Sequence, residues 1–173
     1  MNKKINRTQI SWIVLILALV SLLLFFILKL STKTQSKKLP EKLGNLHLLE
    51  TQRGEEAKKL FSTVYLLQNN PQSYAVYHYG AAEGLSRIFV LSYSNEQEAA
   101  KSFDIIEQDI ESHNTSFTHS RKFEYAKKTV YLFLGFGKAH YLLFDKNNLI
   151  WVESDIPIAQ VTITKLLDFL YKQ

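Results

Sequence analysis

Arg121-Lys-Phe-Glu-Tyr125, Thr129-Val-Tyr-Leu-Phe-Leu134, Ala139-His-Tyr-Leu-Leu-Phe144 and Leu149-Ile-Trp-Val-Glu153 decide the fold of this chain. Each run is short and rich in aliphatic, β-branched or aromatic residues, as strands are. The pieces between them, Ala126-Lys-Lys128, Gly135-Phe-Gly-Lys138 and Asp145-Lys-Asn-Asn148, are all brief. A parallel crossover needs about a dozen residues, so these connections force antiparallel neighbours. Upstream, residues 73–79 and 85–94 form a further pair, with Gly80-Ala-Ala-Glu-Gly84 turning between them. The expectation is an antiparallel sheet of about six strands.

Three helices are expected around these strands. Residues 54–67 place Ala57, Leu60, Phe61, Val64 and Leu67 on one face, with Glu55 and Glu56 near the positive N-terminal end. Ser94-Asn-Glu-Gln97 has the capping-box form, and Ala99, Phe103, Ile106 and Ile110 follow at helical spacing. The third helix starts near Pro157, with Ala159, Ile163, Leu166 and Leu170 as its stripe. The order helix, two strands, helix, four strands, helix is α+β, with the helices expected mainly on one face.

Ile10 to Leu28 is an uncharged, strongly apolar run between Arg7 and Lys29. At ~1.5 Å rise per residue, a helix of that length matches the ~30 Å hydrocarbon core of a bilayer. The run is longer than a signal-peptide core and lacks a small-x-small cleavage pattern, so it reads as an uncleaved signal anchor. The expected organisation is a basic tail over 1–9, a transmembrane helix over 10–30, a polar Lys-rich linker over 31–45 and a globular domain over 46–173. Basic residues flank the run on both sides. The short leading tail favours an N-terminus in the cytoplasm and a domain outside it, in a single-pass protein of the inner or plasma membrane. No cysteine occurs in the chain, which removes disulfides, thiolate metal sites and cysteine nucleophiles.

The formal net charge of +5 needs a regional reading. Residues 1–44 hold eight of the 21 basic residues and one acid, so 45–173 hold 13 basic against 15 acidic residues. Positive charge that flanks an apolar run suits anionic headgroups and is not the footprint of a nucleic-acid-binding domain. Nucleic acid is not an expected partner; the bilayer and another membrane or envelope protein are.

Few residues form a reactive pattern. There is no phosphate-binding Gly-x-x-x-x-Gly-Lys-Ser/Thr loop, and Gly135-Phe-Gly137 lies in a hairpin instead of a strand-to-helix turn. None of the five histidines pair at helical metal-ligand spacing. His78 and His140 stand out because both lie on strands among aromatics, and adjacent strands would bring the two imidazoles together. Otherwise each is a hydrogen-bonded sheet residue. No metal and no cofactor is expected. Tyr and Trp combine apolar area with a polar tip and favour interfaces. Tyr77, His78, Tyr79, Tyr131, His140, Tyr141 and Trp151 are therefore the candidate binding surface, and cross-strand packing is the competing role.

Gly54-x-x-Ala57, Tyr77-x-x-Gly80, Glu98-Ala-Ala100, Gly137-x-x-His140-Tyr141 and Leu149-Ile-Trp151 together resemble an uncharacterised bacterial family of small α+β domains tethered to a membrane. The resemblance covers about residues 46–173 and implies a fold and a compartment, with no known activity. The expected function is a non-enzymatic protein-interaction, accessory or assembly module of the cell envelope. The alternative is a small-ligand-binding domain or enzyme with a site around His78, His140, Tyr77 and Tyr141.

Overall fold

The computed structural model describes residues 19–22, 37–65, 67, 70–112 and 116–172. Within the unit 34–173 the chain runs β1 (Lys42–Leu43), β2 (Leu46–Arg53), α1 (Glu55–Ser62), β3 (Ser73–Ala81), β4 (Gly84–Ser92) and α2 (Glu96–Glu111). It continues through β5 (Thr118–Tyr125), β6 (Lys128–Gly135), β7 (Lys138–Asp145), β8 (Asn148–Asp155) and α3 (Ile156–Tyr171). The strands form one sheet, antiparallel at every pairing, in the order β1-β2-β3-β4-β8-β7-β6-β5. Two meanders thus join where β4 meets β8.

The sheet has eight strands, which corrects the expected six. The six expected runs are β3 to β8; β1 and β2 are additional. Leu46-His-Leu-Leu-Glu-Thr-Gln-Arg53 does not alternate cleanly because its pairing with β3 shifts between Leu48 and Glu50. A bulge of this kind puts two residues where one would stand, so the period of two is lost. β2 also lies near the margin of the sheet, where fewer apolar residues are needed.

Helices cover both faces, which corrects the expectation of one. Successive strand residues point to opposite faces, and Leu149, Ile150, Trp151 and Val152 are all fully buried. A strand apolar at every position needs cover on both sides. One face packs Ile88, Val90, Ile150 and Val152 under Ile163, Leu166 and Leu167 of α3. The other packs Phe89, Leu142 and Trp151 under Phe61 of α1 and Phe103 and Ile106 of α2. Full burial of a side chain of this size stabilises by ~1.5–3 kcal/mol, so each layer contributes substantially.

The helix ends follow local chemistry. α2 is capped one residue later than the sequence suggested: Asn95 Oδ1 accepts from the Glu98 N–H at 2.9 Å, and Glu98 reaches back to the Ser94 N–H. Pro157 stands in the first turn of α3. The chain from Lys37 onward belongs to the domain, because Leu39 and Leu43 are each 2% exposed in the α3-side core.

The expected transmembrane helix over 10–30, the signal anchor and the single-pass inner- or plasma-membrane location are corrected as well. Among the described residues no helix is long and apolar enough to cross a membrane. Of that segment only residues 19–22 are described, as exposed helix. The rest of the expected span, the tail over 1–9 and the linker up to residue 36 lie outside the described residues.

Candidate functional site

Strand pairing aligns a row of polar residues across the face that α1 and α2 cover. Glu50 of β2 stands opposite His78 of β3, and His78 opposite Arg87 of β4. Arg87 is opposite Glu153 of β8, Glu153 opposite His140 of β7, and His140 opposite Phe133 of β6. Directly paired residues share a face, so one line of side chains crosses six strands.

The centre of the row is an ion pair between the half-buried Arg87 and the buried Glu153. Arg87 Nε and Nη2 donate to Glu153 Oε1 at 3.2 and 2.7 Å, and Nη2 also donates to Oε2 at 2.7 Å. Lys138 Nζ lies 3.4 Å from the same Oε1 and 3.0 Å from Asp155 Oδ1. Glu153 is 4% exposed, so its charge depends on these partners. Asp155 Oδ2 accepts the Leu85 N–H at 2.8 Å. That bond and Lys138 hold the Asp155 carboxyl below its usual range.

His140 is fully buried and both ring nitrogens are engaged. Nε2 donates to the Gly135 carbonyl at 3.1 Å, while Nδ1 accepts from Trp151 Nε1 at 3.1 Å. This pair of bonds assigns the neutral Nε2–H tautomer. Burial holds the imidazole below its usual pKa, in agreement. The ring stacks on Phe133 with an interplanar angle of 4° and meets Phe117 and Trp151 edge-on. Thus His140 orders an aromatic cluster and offers no lone pair to a metal.

His78 differs. Its Nε2 is buried without a hydrogen-bond partner. Burial, the largest influence, and Arg87 hold it below its usual pKa, against the upward pull of Glu50 and Glu153. His78 and Arg87 floor a hollow of about 400 Å³, with Lys138 beside them and Leu49 and Leu85 as walls. Both leucines reach over Gly80, where an added Cβ would lie 2.8 Å from Leu49 and 3.3 Å from Leu85. Glycine at that position leaves room for both. A second hollow of about 350 Å³ shares Lys138 and is bounded by Phe136 and Ile156.

The candidate residues read from sequence divide between the two faces. Tyr77, Tyr79 and Tyr141 are buried on the α3 side. The Tyr77 and Tyr79 hydroxyls donate to the carbonyls of Lys37 and Pro40 at 2.9 and 2.6 Å, tying the leading segment to the sheet. His78, Tyr131, His140 and Trp151 belong to the other face. Trp151 and Tyr131 are buried in its core, with Trp151 against Phe61, Phe117 and Phe133. His78 and His140 stand three strand steps apart, or ~14 Å at the usual spacing, so the imidazoles do not meet. The arrangement therefore leaves the set His78, His140, Tyr77 and Tyr141 unconverged. Among the described residues no group of three or more His, Cys, Asp or Glu side chains could hold a metal ion.

Arg87, Glu153, Lys138 and the exposed leucines were not singled out from the sequence. A signal was present. Arg87 and Glu153 are charges inside otherwise apolar strand runs, and each sits on the same parity as buried aromatic neighbours, Phe89 and Trp151. The Glu153 and Asp155 carboxylates are spent on cations and a backbone N–H, Glu50 accepts from Gln52 at the rim, and Arg87 and Lys138 keep spare donors beside apolar walls. Comparison of the chain with protein-family models, curated proteins and solved structures finds no match.

Proposed function

We propose that this domain is a non-enzymatic binding module for another polypeptide, which docks at the end of the sheet that carries Leu49, Leu85, Phe136 and Ile156. One observation carries the reading. These four side chains are 63%, 54%, 66% and 54% exposed and line the two hollows joined at Lys138. Singly exposed apolar residues need no explanation, but a cluster on one end of a domain does. From β2 to β6 the end crosses six strands, ~24 Å at the usual spacing. That width suits a partner contact of ~800 Å² per side. A polar row framed by apolar side chains gives such a contact both orientation and area.

Site-specific photo-crosslinking of the full chain in its native cells tests this. A photoreactive residue at Leu85 or Phe136 is expected to give one adduct of defined mass. The same residue at Val161 of α3, which is 41% exposed, is expected to give none. Phe136→Asp should abolish the Leu85 adduct. Adducts of equal yield from all three positions, or none from any, would refute the reading.

A further inference from the structure

We propose that the hollow between Leu49 and Leu85 seats a carboxylate on an apolar stem, supplied by an Asp or Glu side chain flanked by aliphatic residues in the partner polypeptide. The inference rests on the preceding reading of the domain as a polypeptide-binding module and names the chemistry that the module recognises. It follows from which hydrogen-bonding groups are spent. Both Glu153 oxygens take Arg87, and Oε1 also takes Lys138. Asp155 takes Lys138 on one oxygen and the Leu85 N–H on the other. The donors are not exhausted. Arg87 commits Nε and Nη2 to Glu153 and keeps the two N–H groups of Nη1. Lys138 has three N–H groups for two carboxylates, and His78 Nε2 is buried without a partner.

A ligand that completes this hollow must bring acceptors. A carboxylate offers about four lone-pair sites and forms charge-assisted bonds to Arg and Lys, which are stronger than neutral ones. The apolar walls require the atoms next to it to be aliphatic. Leu49 and Leu85 are both more than half exposed, so covering them adds favourable burial. Three carboxylates oppose an incoming one: Glu153 and Asp155, already paired with Arg87 and Lys138, and Glu50. The last is exposed on the rim, where its Oε1 accepts from Gln52 Nε2 at 3.0 Å. Water screens its repulsion without abolishing it, and its presence makes the proposal testable by sign.

His78 adds a second signature. It is faced by Glu50 from β2, Arg87 from β4 and, further along the hollow, Glu153 from β8 and Lys138 from β7. A carboxylate arriving beside the neutral ring favours its protonated form. Binding then takes up a proton and strengthens as the pH falls from 7 towards 6.

The test titrates the isotope-labelled full chain with the capped peptides acetyl-Leu-Asp-Leu-amide and acetyl-Leu-Asn-Leu-amide, and with 4-methylpentanoate. The Asp peptide is expected to shift the backbone amides of Leu49, Leu85 and Arg87 and to bind about tenfold more tightly than the Asn peptide. Glu50→Gln should raise its affinity by about two- to fivefold. The double variant Arg87→Gln/Glu153→Gln removes the two paired charges together and should lower the Asp:Asn ratio. Lys138→Gln provides a second variant if the double one does not fold, and should lower the same ratio. Equal affinity for the two peptides, binding of neither, or weaker binding in Glu50→Gln would overturn the proposal. Tighter binding of 4-methylpentanoate than of the Asp peptide would overturn the polypeptide source. If the Leu85 and Phe136 crosslinks persist while Asp selectivity is missing, this inference alone fails. If the crosslinks are also missing, the reading beneath it fails.

Discussion

Breaking the Arg87–Glu153 pair from each side should have unequal and non-additive effects on stability. Arg87→Met leaves a carboxylate that is 4% exposed with Lys138 as its remaining cation, 3.4 Å away. Removing the sole partner of a fully buried charge costs about 3–5 kcal/mol. The Arg87 side chain is 29% exposed, so water reaches the vacated place, and with Lys138 retained the expected loss is about 2 kcal/mol. Glu153→Gln strands only the partly exposed guanidinium, which can turn to solvent, and should cost about 1 kcal/mol. Arg87→Met combined with Glu153→Gln removes both desolvated charges and should fall within about 1 kcal/mol of the unaltered chain, a coupling of about 2 kcal/mol. Urea unfolding followed by tryptophan fluorescence reads this directly, because Trp151 is buried on the same face. With an m-value of ~2 kcal/mol/M, the Arg87→Met midpoint should drop by about 1 M. Two single variants within 0.5 kcal/mol of the unaltered chain, or a double variant equal to their sum, would refute the claim that each charge is held in place by the other.

Stability should fall on acidification below about pH 6.5, because burial holds His140 and His78 below that value in the folded chain. The unfolded chain then binds more protons, so the slope of unfolding free energy with pH is positive in that window. His140→Gln should flatten the slope in urea melts between pH 7 and 5, and an unchanged slope would show that His140 does not set it. Gly135→Ala would drive a Cβ into the Phe117 ring. A loss of about 1–3 kcal/mol is expected, with partial recovery on adding Phe117→Leu; a neutral Gly135→Ala melt would show that the ring moves freely. Leu39→Ala, at a position 2% exposed, should cost about 2–4 kcal/mol. A thermal-melt shift near zero would remove residues 37–45 from the core.

The strands β3 to β8 were legible because short turns and apolar runs leave little alternative to an antiparallel meander. β1 and β2 were not, for a physical reason: a bulge at Leu48/Glu50 hides alternation, and an edge strand carries fewer apolar residues. The two-sided cover was present in the runs themselves. Leu149-Ile-Trp-Val152 has no polar side, and a sheet open to water on one face would have shown one. Ser94 and Asn95 are both good caps, and only the backbone position of Glu98 separates them. Residue type pointed to Tyr77, His78, Tyr79, Tyr131, His140, Tyr141 and Trp151. Strand parity then divides them, since neighbours in sequence such as Tyr77 and His78 must face opposite ways. Alignment of residues from β2, β3, β4, β8 and β7 into one row depends on register between strands far apart in sequence. Periodicity along a single strand carries no information about that.

The polar row lies in the wrong place to be a solubility device alone. β4 and β8 are the central pair of the sheet, where charge is most costly to desolvate, and Glu153 is almost fully buried there. If this end of the face were simply left to water, polar residues would suffice around it, yet Leu49, Leu85, Phe136 and Ile156 stand exposed instead. If it were simply core, the centre would be apolar like Phe89, Leu142 and Trp151 further along the same strands. Neither requirement accounts for a half-buried ion pair framed by exposed apolar side chains. Departures from consistent patterning concentrate at functional sites. Here the departures coincide: the β2 bulge at Leu49, the His78 ring with its unpartnered nitrogen and the Arg87 end of the Arg87–Glu153 pair all border one hollow. A surface completed by an incoming acidic and aliphatic segment would satisfy the spare donors and cover the leucines in one step, which neither water nor a further core residue can do.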